Sequence, residues 1–303
     1  MSHPASKSAA DLPAWRSLLF VPIIRETFVA KADTRGADAI ILDLEDSIPE
    51  TEKERARDCI AAAAAHVGQS GADVLVRINR PWQHAFRDIE AAVGPQVMGL
   101  VCPKVASPTH LNVVVEIIDA AEAARQLPLS HTRLVALIES ADAYFQVRDI
   151  ARATPRLVAI ALGSLDFALS AGMEPIAETL QGPTQTVAIA ARAAGLLPLG
   201  LMGSLADFAD PAALRAIARR SRIFGFAGAM CIHPSQVPIL NDAFGDGSEE
   251  IDRAQRTIAA YEEALAKGVG AITFEGQMID VPVVERARAI VKRSTLRAEP
   301  PRV

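Results

Sequence analysis

The sequence is poor in cysteine, with Cys59, Cys102 and Cys231 the only three in 303 residues. They are odd in number, far apart and without a C-x-x-C pair, which argues against a disulfide framework or a thiolate zinc site and for reduced thiols in a cytoplasmic protein. Cys102 and Cys231 fall in apolar, strand-like runs, so core packing is their expected role. Concentrated positive charge is also missing. The net charge is -5 and the arginines are scattered along helical stretches rather than interleaved with aromatics, which removes the usual footprint of a nucleic-acid partner. No apolar run reaches the roughly 18 residues of a membrane span, and the opening MSHPASKSAADL lacks the apolar centre of a signal peptide. The expectation is a soluble, unexported protein with no nucleic-acid or membrane partner, acting on small molecules. A G-x-G-x-x-G turn after an early strand is absent too, which disfavours a doubly wound dinucleotide-binding sheet.

Half of the residues are apolar, enough for a large core. Short apolar runs end in polar residues and alternate with helical stretches. The runs are Ser17–Ile23, Ala39–Glu45, Asp73–Asn79, Gly99–Val105, Arg133–Glu139, Leu157–Asp166, a weaker Leu197–Gly203, and Ala227–His233. Predicted helices between them include Glu50–Val67, Trp82–Val93, Pro108–Leu127, Ala141–Ala153 and a capped helix from Asp210 to Phe224. Eight strand-then-helix units over this length predict an α/β fold, a (β/α)8 TIM barrel, across residues 15–245. Residues 1–14 are expected to be a disordered leader. Residues 246–303 are expected to be a C-terminal helical and hairpin lid, with a turn at Glu275-Gly276 and a last helix reaching about Lys292.

A barrel of this kind carries its active site at the carboxyl edge of the strands. The polar residues there are Asp43, Glu45, Asp46, Arg77, Asn79, Lys104, Glu139, Asp166 and His233. Glu139 and Asp166 close neighbouring parallel strands, and two adjacent carboxylates suit a hard divalent cation such as Mg2+. The alternative is that both are helix N-terminal acids favoured by the helix dipole. Arg77 sits in an alternating strand where a guanidinium must face the mouth or a buried anion, and its fork can grip a carboxylate at two points. Lys104 could instead form a structural ion pair with Glu45, His233 fits a structural histidine better than a catalytic one, and Asp280 could be only a helix cap.

The segments RSLLFVP (16–22), GADAIILDLEDSIP (36–49), VRIN (76–79), ALIES (136–140), AARAAGL (190–196), GFAGAMCIHPSQV (225–237) and GAITFEGQMID (270–280) together resemble the citrate lyase β-subunit-like CoA-ester lyases. These belong to the HpcH/HpaI aldolase/citrate lyase family, with malyl-CoA and citramalyl-CoA lyases. The resemblance implies a Mg2+-dependent carbon–carbon lyase that splits a citryl-, malyl- or citramalyl-CoA type of β-hydroxy acyl-CoA into a 2-oxo acid and an acyl-CoA. It places Glu139 and Asp166 on the metal and Arg77, with the loop Gly163, Ser164, Leu165 and Asp166, on the substrate. Arg77, Glu45 and Asp280 become the candidate catalytic groups, Asp280 as acid/base. The resemblance further implies a homo-oligomer, a homotrimer or hexamer, whose lids reach neighbouring subunits. Some positions depart from the family pattern: Ile23 replaces a glycine, Gly163-Ser-Leu-Asp166 replaces Gly-Ala-Glu-Asp, Gln181-Gly-Pro-Thr184 replaces Tyr-Ala-Arg, Leu199-Gly200 lacks an acid, and Gly225–Ala229 lacks a lysine. These changes leave open a non-CoA 2-oxo-acid aldolase or a non-catalytic oxo-acid-binding subunit.

Overall fold

The computed structural model describes residues 12–203 and 210–298. Runs of Val, Ile, Leu and Ala form eight strands: β1 (Ser17–Pro22), β2 (Ala39–Asp43), β3 (Asp73–Arg77), β4 (Gly99–Cys102), β5 (Arg133–Ile138), β6 (Leu157–Leu162), β7 (Leu197–Leu199) and β8 (Ala229–Cys231). All are parallel; each pairs with the next up to β7, and β8 pairs with β1. A bridge between Leu199 and Gly228 closes the remaining seam, with Gly200 N–H donating to the Gly228 carbonyl at 3.0 Å. Gly228 is needed at this seam, since a Cβ there would stand 2.3 Å from the Trp15 carbonyl oxygen. The result is the expected TIM barrel, its crossovers made by helices as parallel pairing requires.

Alternation along each strand sorts the apolar residues into two layers. Leu18, Ile41, Leu75, Val101, Val135, Leu137, Ala161, Leu199 and Met230 fill the barrel, and a larger cluster lies between strands and helices. Trp15 is 2% exposed and donates its ring N–H to Asp73 at 2.7 Å, plugging the amino end. Leu12, inside the stretch expected to be a leader, is partly buried against the inner layer.

Several element boundaries differ from expectation. The predicted helix over 50–67 is broken into a 3-10 turn (Glu50–Glu52) and two helices, Lys53–Asp58 and Ile60–Val67. The crossover at 141–153 is two short helices, Ala141–Phe145 and Val147–Ile150. The seventh and eighth strands are three residues each, because the chain turns at Gly200, φ +145°, and β8 starts only where it meets β1.

Residues from Gly245 onward form a second compact unit. It contains a helix (Ser248–Ala266), an antiparallel hairpin of β9 (Ile272–Phe274) and β10 (Gln277–Ile279), and a helix (Val281–Ala298) that runs past the expected end near Lys292. The hairpin turns on Glu275 and Gly276, φ 46° and 76°, the left-handed pair of a type I′ turn. Tyr261, Ile279 and Val284 form one apolar cluster of this unit and Ala254, Ala287 and Ile290 another. Among the described residues, no helix is long and apolar enough to cross a membrane.

Candidate active site

The period of two that fills the barrel also builds its mouth. Asp43, Arg77 and Glu139 lie two residues beyond the inner-layer Ile41, Leu75 and Leu137, so each turns inward one layer above the apolar fill. Asp43 and Arg77 are partners in register across β2 and β3. Arg77 donates from Nε at 2.6 Å and Nη2 at 2.8 Å to the two Asp43 oxygens, and its guanidinium carbon stands 4.7 Å from the Phe20 ring centre. The bidentate grip expected of Arg77 is therefore made within the protein, on Asp43. Burial works to raise the Asp43 carboxyl, but the Arg77 hydrogen bonds and charge, with Ser47, outweigh it and hold it below the usual range.

Glu45, 6% exposed, sits between two cations. Its Oε1 accepts from Lys104 Nζ at 2.6 Å. Its Oε2 is 2.9 Å from Arg77 Nη1, close enough for an ion pair but without the alignment of a hydrogen bond. Burial raises the Glu45 carboxyl, with both cations opposing it. Lys104 takes the left-handed backbone conformation, φ 48°, uncommon for a residue with a side chain. That turn aims its backbone N–H at Glu139 Oε2, at 2.5 Å, while its ammonium goes to Glu45.

Glu139 follows β5 and is 7% exposed. Its side chain lies across Gly163, where a Cβ would come within 2.4 Å of Glu139 Cγ and Oε1. Burial, and then the nearby charges of Glu45 and Asp166, push the Glu139 carboxyl up to about 7 against the Lys104 N–H. Asp166 is in the first turn of the Ser164–Ala171 helix, whose N-cap, Gly163, has no side chain to cap that turn. The positive end of this helix faces a cavity of about 550 Å³ at the mouth. Asp43, Asp46, Arg77, Glu139 and residues 163–166 line it, together with apolar side chains from β1, β5, β6 and β8.

Other predicted residues are placed elsewhere. Glu45 is not in that lining; it faces a neighbouring cleft with Lys53, Asn79 and Arg80. Asn79 is a structural bracket, its Nδ2 donating to the Leu44 carbonyl and to Asp88. His233 is exposed, with Ser235 Oγ 2.7 Å from its Nδ1. The Cys102 and Cys231 thiols are buried and pushed up to about 12, as packing residues would be. Asp280, in the second unit, accepts from Val283 N–H at 3.4 Å, a capping position. Phe20 and Met230 were missed, although each is two residues from an inward position or on the inner face of its own strand. Thr184 had no local signal, because it reaches the cavity from a helix.

Among the described residues lining the cavity, four carboxylates meet one cation, Arg77, and no group of three or more His, Cys, Asp or Glu makes a closed metal cage. Glu139 and Asp166 both line this cavity, and the Asp166 charge acts on the Glu139 carboxyl. A parallel barrel with a charged cavity at the carboxyl edge of its strands has its site where enzymes of this fold carry theirs. Residues 16–234 match the HpcH/HpaI aldolase/citrate lyase model. The chain is 32% identical over 309 residues to the L-malyl-CoA/beta-methylmalyl-CoA lyase of Cereibacter sphaeroides, covering 93% of this chain and 95% of that protein. It is 32% identical over 280 residues to citrate lyase subunit beta of Leuconostoc mesenteroides, covering 91% and 92%. Protein CitE from Mycobacterium tuberculosis, solved with magnesium, acetoacetate and coenzyme A, matches with a TM-score of 0.72 at 28% identity, over 93% of this chain and 98% of that one. The chain belongs to the HpcH/HpaI aldolase/citrate lyase family. Its class is carbon–carbon lyase of the citrate lyase β type.

Proposed function

We propose that this enzyme cleaves a β-hydroxy acyl-CoA of the citryl-, malyl- or citramalyl-CoA type into a 2-oxo acid and an acyl-CoA, with Mg2+ held by Glu139 and Asp166. The observation that carries the reading is the buried Glu139 beside Asp166, two carboxylates that line the same cavity and act on each other. The magnesium and coenzyme A bound to the CitE relative support the ion and the thioester. When bound, the ion supplies Lewis-acid polarisation of the oxo-acid carbonyl. The first-turn N–H groups of Ser164, Leu165 and Asp166 receive the substrate carboxylate at the helix end. Arg77, held by Asp43 and Glu45, lines the cavity, where its positive charge stabilises the β-alkoxide and the oxo-acid carbonyl oxygen that the alkoxide becomes. Glu45 acts through Arg77 and Lys104, fixing both. Asp280, as acid/base, takes the proton of the β-hydroxyl as the carbon–carbon bond breaks and returns it to the enolate carbon of the acyl fragment. The family resemblance assigns this step to the lid of a neighbouring subunit, in a homotrimer or hexamer.

The test is turnover of malyl-, citramalyl- and citryl-CoA with Mg2+, and again with excess EDTA, followed by the 2-oxo acid released. At least one thioester is expected to be cleaved, and the chelator to stop it. Calorimetry on Glu139→Ala and Asp166→Ala is expected to show Mg2+ binding weakened at least tenfold with circular dichroism unchanged. Unaltered Mg2+ affinity in both variants, or cleavage that survives chelation, overturns the assignment.

A further inference from the structure

The residue roles above draw on the charged side of the cavity. Its charged groups come from the ends of β2, β3, β5 and β6, whereas Leu162, Leu165, Leu201, Met230 and Ile232 line it from β6, β7 and β8, the arc reached by crossing the barrel from β2 and β3. Leu165 is 57% exposed and Ile232 53%, so this wall presents apolar surface to the open space of the cavity. Apolar surface rimmed by polar groups marks a place where a ligand's apolar part is received.

Charge points the same way. Arg77, the one cation among the described lining residues, is committed at 2.6 and 2.8 Å to Asp43 and at 2.9 Å to Glu45. Lys104, the next cation along the rim, is 2.6 Å from Glu45.

We infer that the site selects a 2-oxo acid whose substituent on the carbonyl carbon is an uncharged alkyl group, received by Leu165 and Ile232, and not one bearing a second carboxylate. This rests on the oxo-acid reading above. A second carboxylate in this half of the cavity loses its hydration against leucine, methionine and isoleucine and meets further carboxylates rather than a free cation. An alkyl group there removes apolar surface from water on both sides. The two outcomes differ in sign, so selectivity follows from the wall alone.

The experiment is calorimetric titration of the full chain in Mg2+ with two near-isosteric acids, 4-methyl-2-oxopentanoate and freshly dissolved oxaloacetate, in which an isopropyl group replaces a carboxylate. The alkyl acid is expected to bind at least tenfold more tightly. Leu165→Arg and, independently, Ile232→Arg put a cation at a half-exposed position that tolerates it, and each is expected to shift the ratio at least tenfold toward oxaloacetate. Oxaloacetate binding as tightly as the alkyl acid overturns the inference alone, as does a ratio unmoved in both variants. Binding of neither acid overturns the oxo-acid reading and this inference with it.

Discussion

Gly163 shows how one missing methyl group sets the place of a carboxylate. Its backbone, φ -80°, is open to any residue, but the space a Cβ needs is filled by Glu139 Cγ and Oε1 at 2.4 Å. Because the obstacle is a side chain rather than backbone, Gly163→Ala is expected to keep the fold at a cost of about 1–3 kcal/mol, while swinging the Glu139 carboxylate away. Mg2+ affinity measured by calorimetry should fall at least tenfold; unchanged affinity would show that Glu139 is not a ligand. Arg77 is a second case. Arg77→Lys keeps the charge but loses the two-point contact with Asp43, which is 2% exposed. Oxo-acid binding should weaken by about 1.5–3 kcal/mol, and the melting temperature should drop as well, since Asp43 is left short of donors. Equal binding by the lysine variant would make Arg77 purely structural.

At the scale of an element, the Pro108–Ala124 helix carries a pH dependence at its start. His110 lies in the first turn, where Ser107 caps its N–H at 3.2 Å, its Nδ1 is 3.2 Å from Ala106 N–H, and its ring meets Trp82 edge-on at 5.1 Å. Burial, helped by the charge of Arg80, lowers its pKa to about 4 from the ordinary 6.5. Between those values the unfolded chain binds a proton that the folded chain refuses, so stability is full above about pH 6.5 and is lost as pH falls toward 4. After allowance for solvent screening the loss is about 1–2 kcal/mol. Urea midpoints at pH 7 and pH 4.5 should therefore differ less in His110→Gln than in the parent. Equal differences in the two proteins would place the dependence elsewhere.

The whole molecule divides into a barrel, ending at Phe244, and a second unit that starts at Gly245 and contains Asp280. Asparagine caps a helix about as well as aspartate, so Asp280→Asn removes the carboxylate and spares the cap. If Asp280 serves a neighbouring subunit, Asp280→Asn and Arg77→Ala chains are each expected to be inactive alone and to regain activity when co-assembled, because some mixed interfaces hold one intact site. Steady-state assays of the mixture after subunit exchange check this. No recovery, together with near-normal activity of Asp280→Asn, would reduce Asp280 to a helix cap.

By itself the sequence determined the succession of strands and helices, the closed barrel and the carboxylates at the strand ends, because apolar periodicity and chain order are local and survive without coordinates. The hairpin turning on Glu275-Gly276 was equally legible, since glycine readily takes the left-handed conformation such a turn needs. Only the tertiary structure decided how the polar ends are shared. Asp43 takes the Arg77 fork from 34 residues away, and Lys104 gives Glu139, 35 residues away, its backbone N–H rather than its ammonium. It also decided where β7 and β8 stop and where the helix over 50–67 breaks. The reason is physical: a buried carboxylate settles on whichever donors the neighbouring strand ends bring within hydrogen-bond reach, and that set exists only once the barrel has closed.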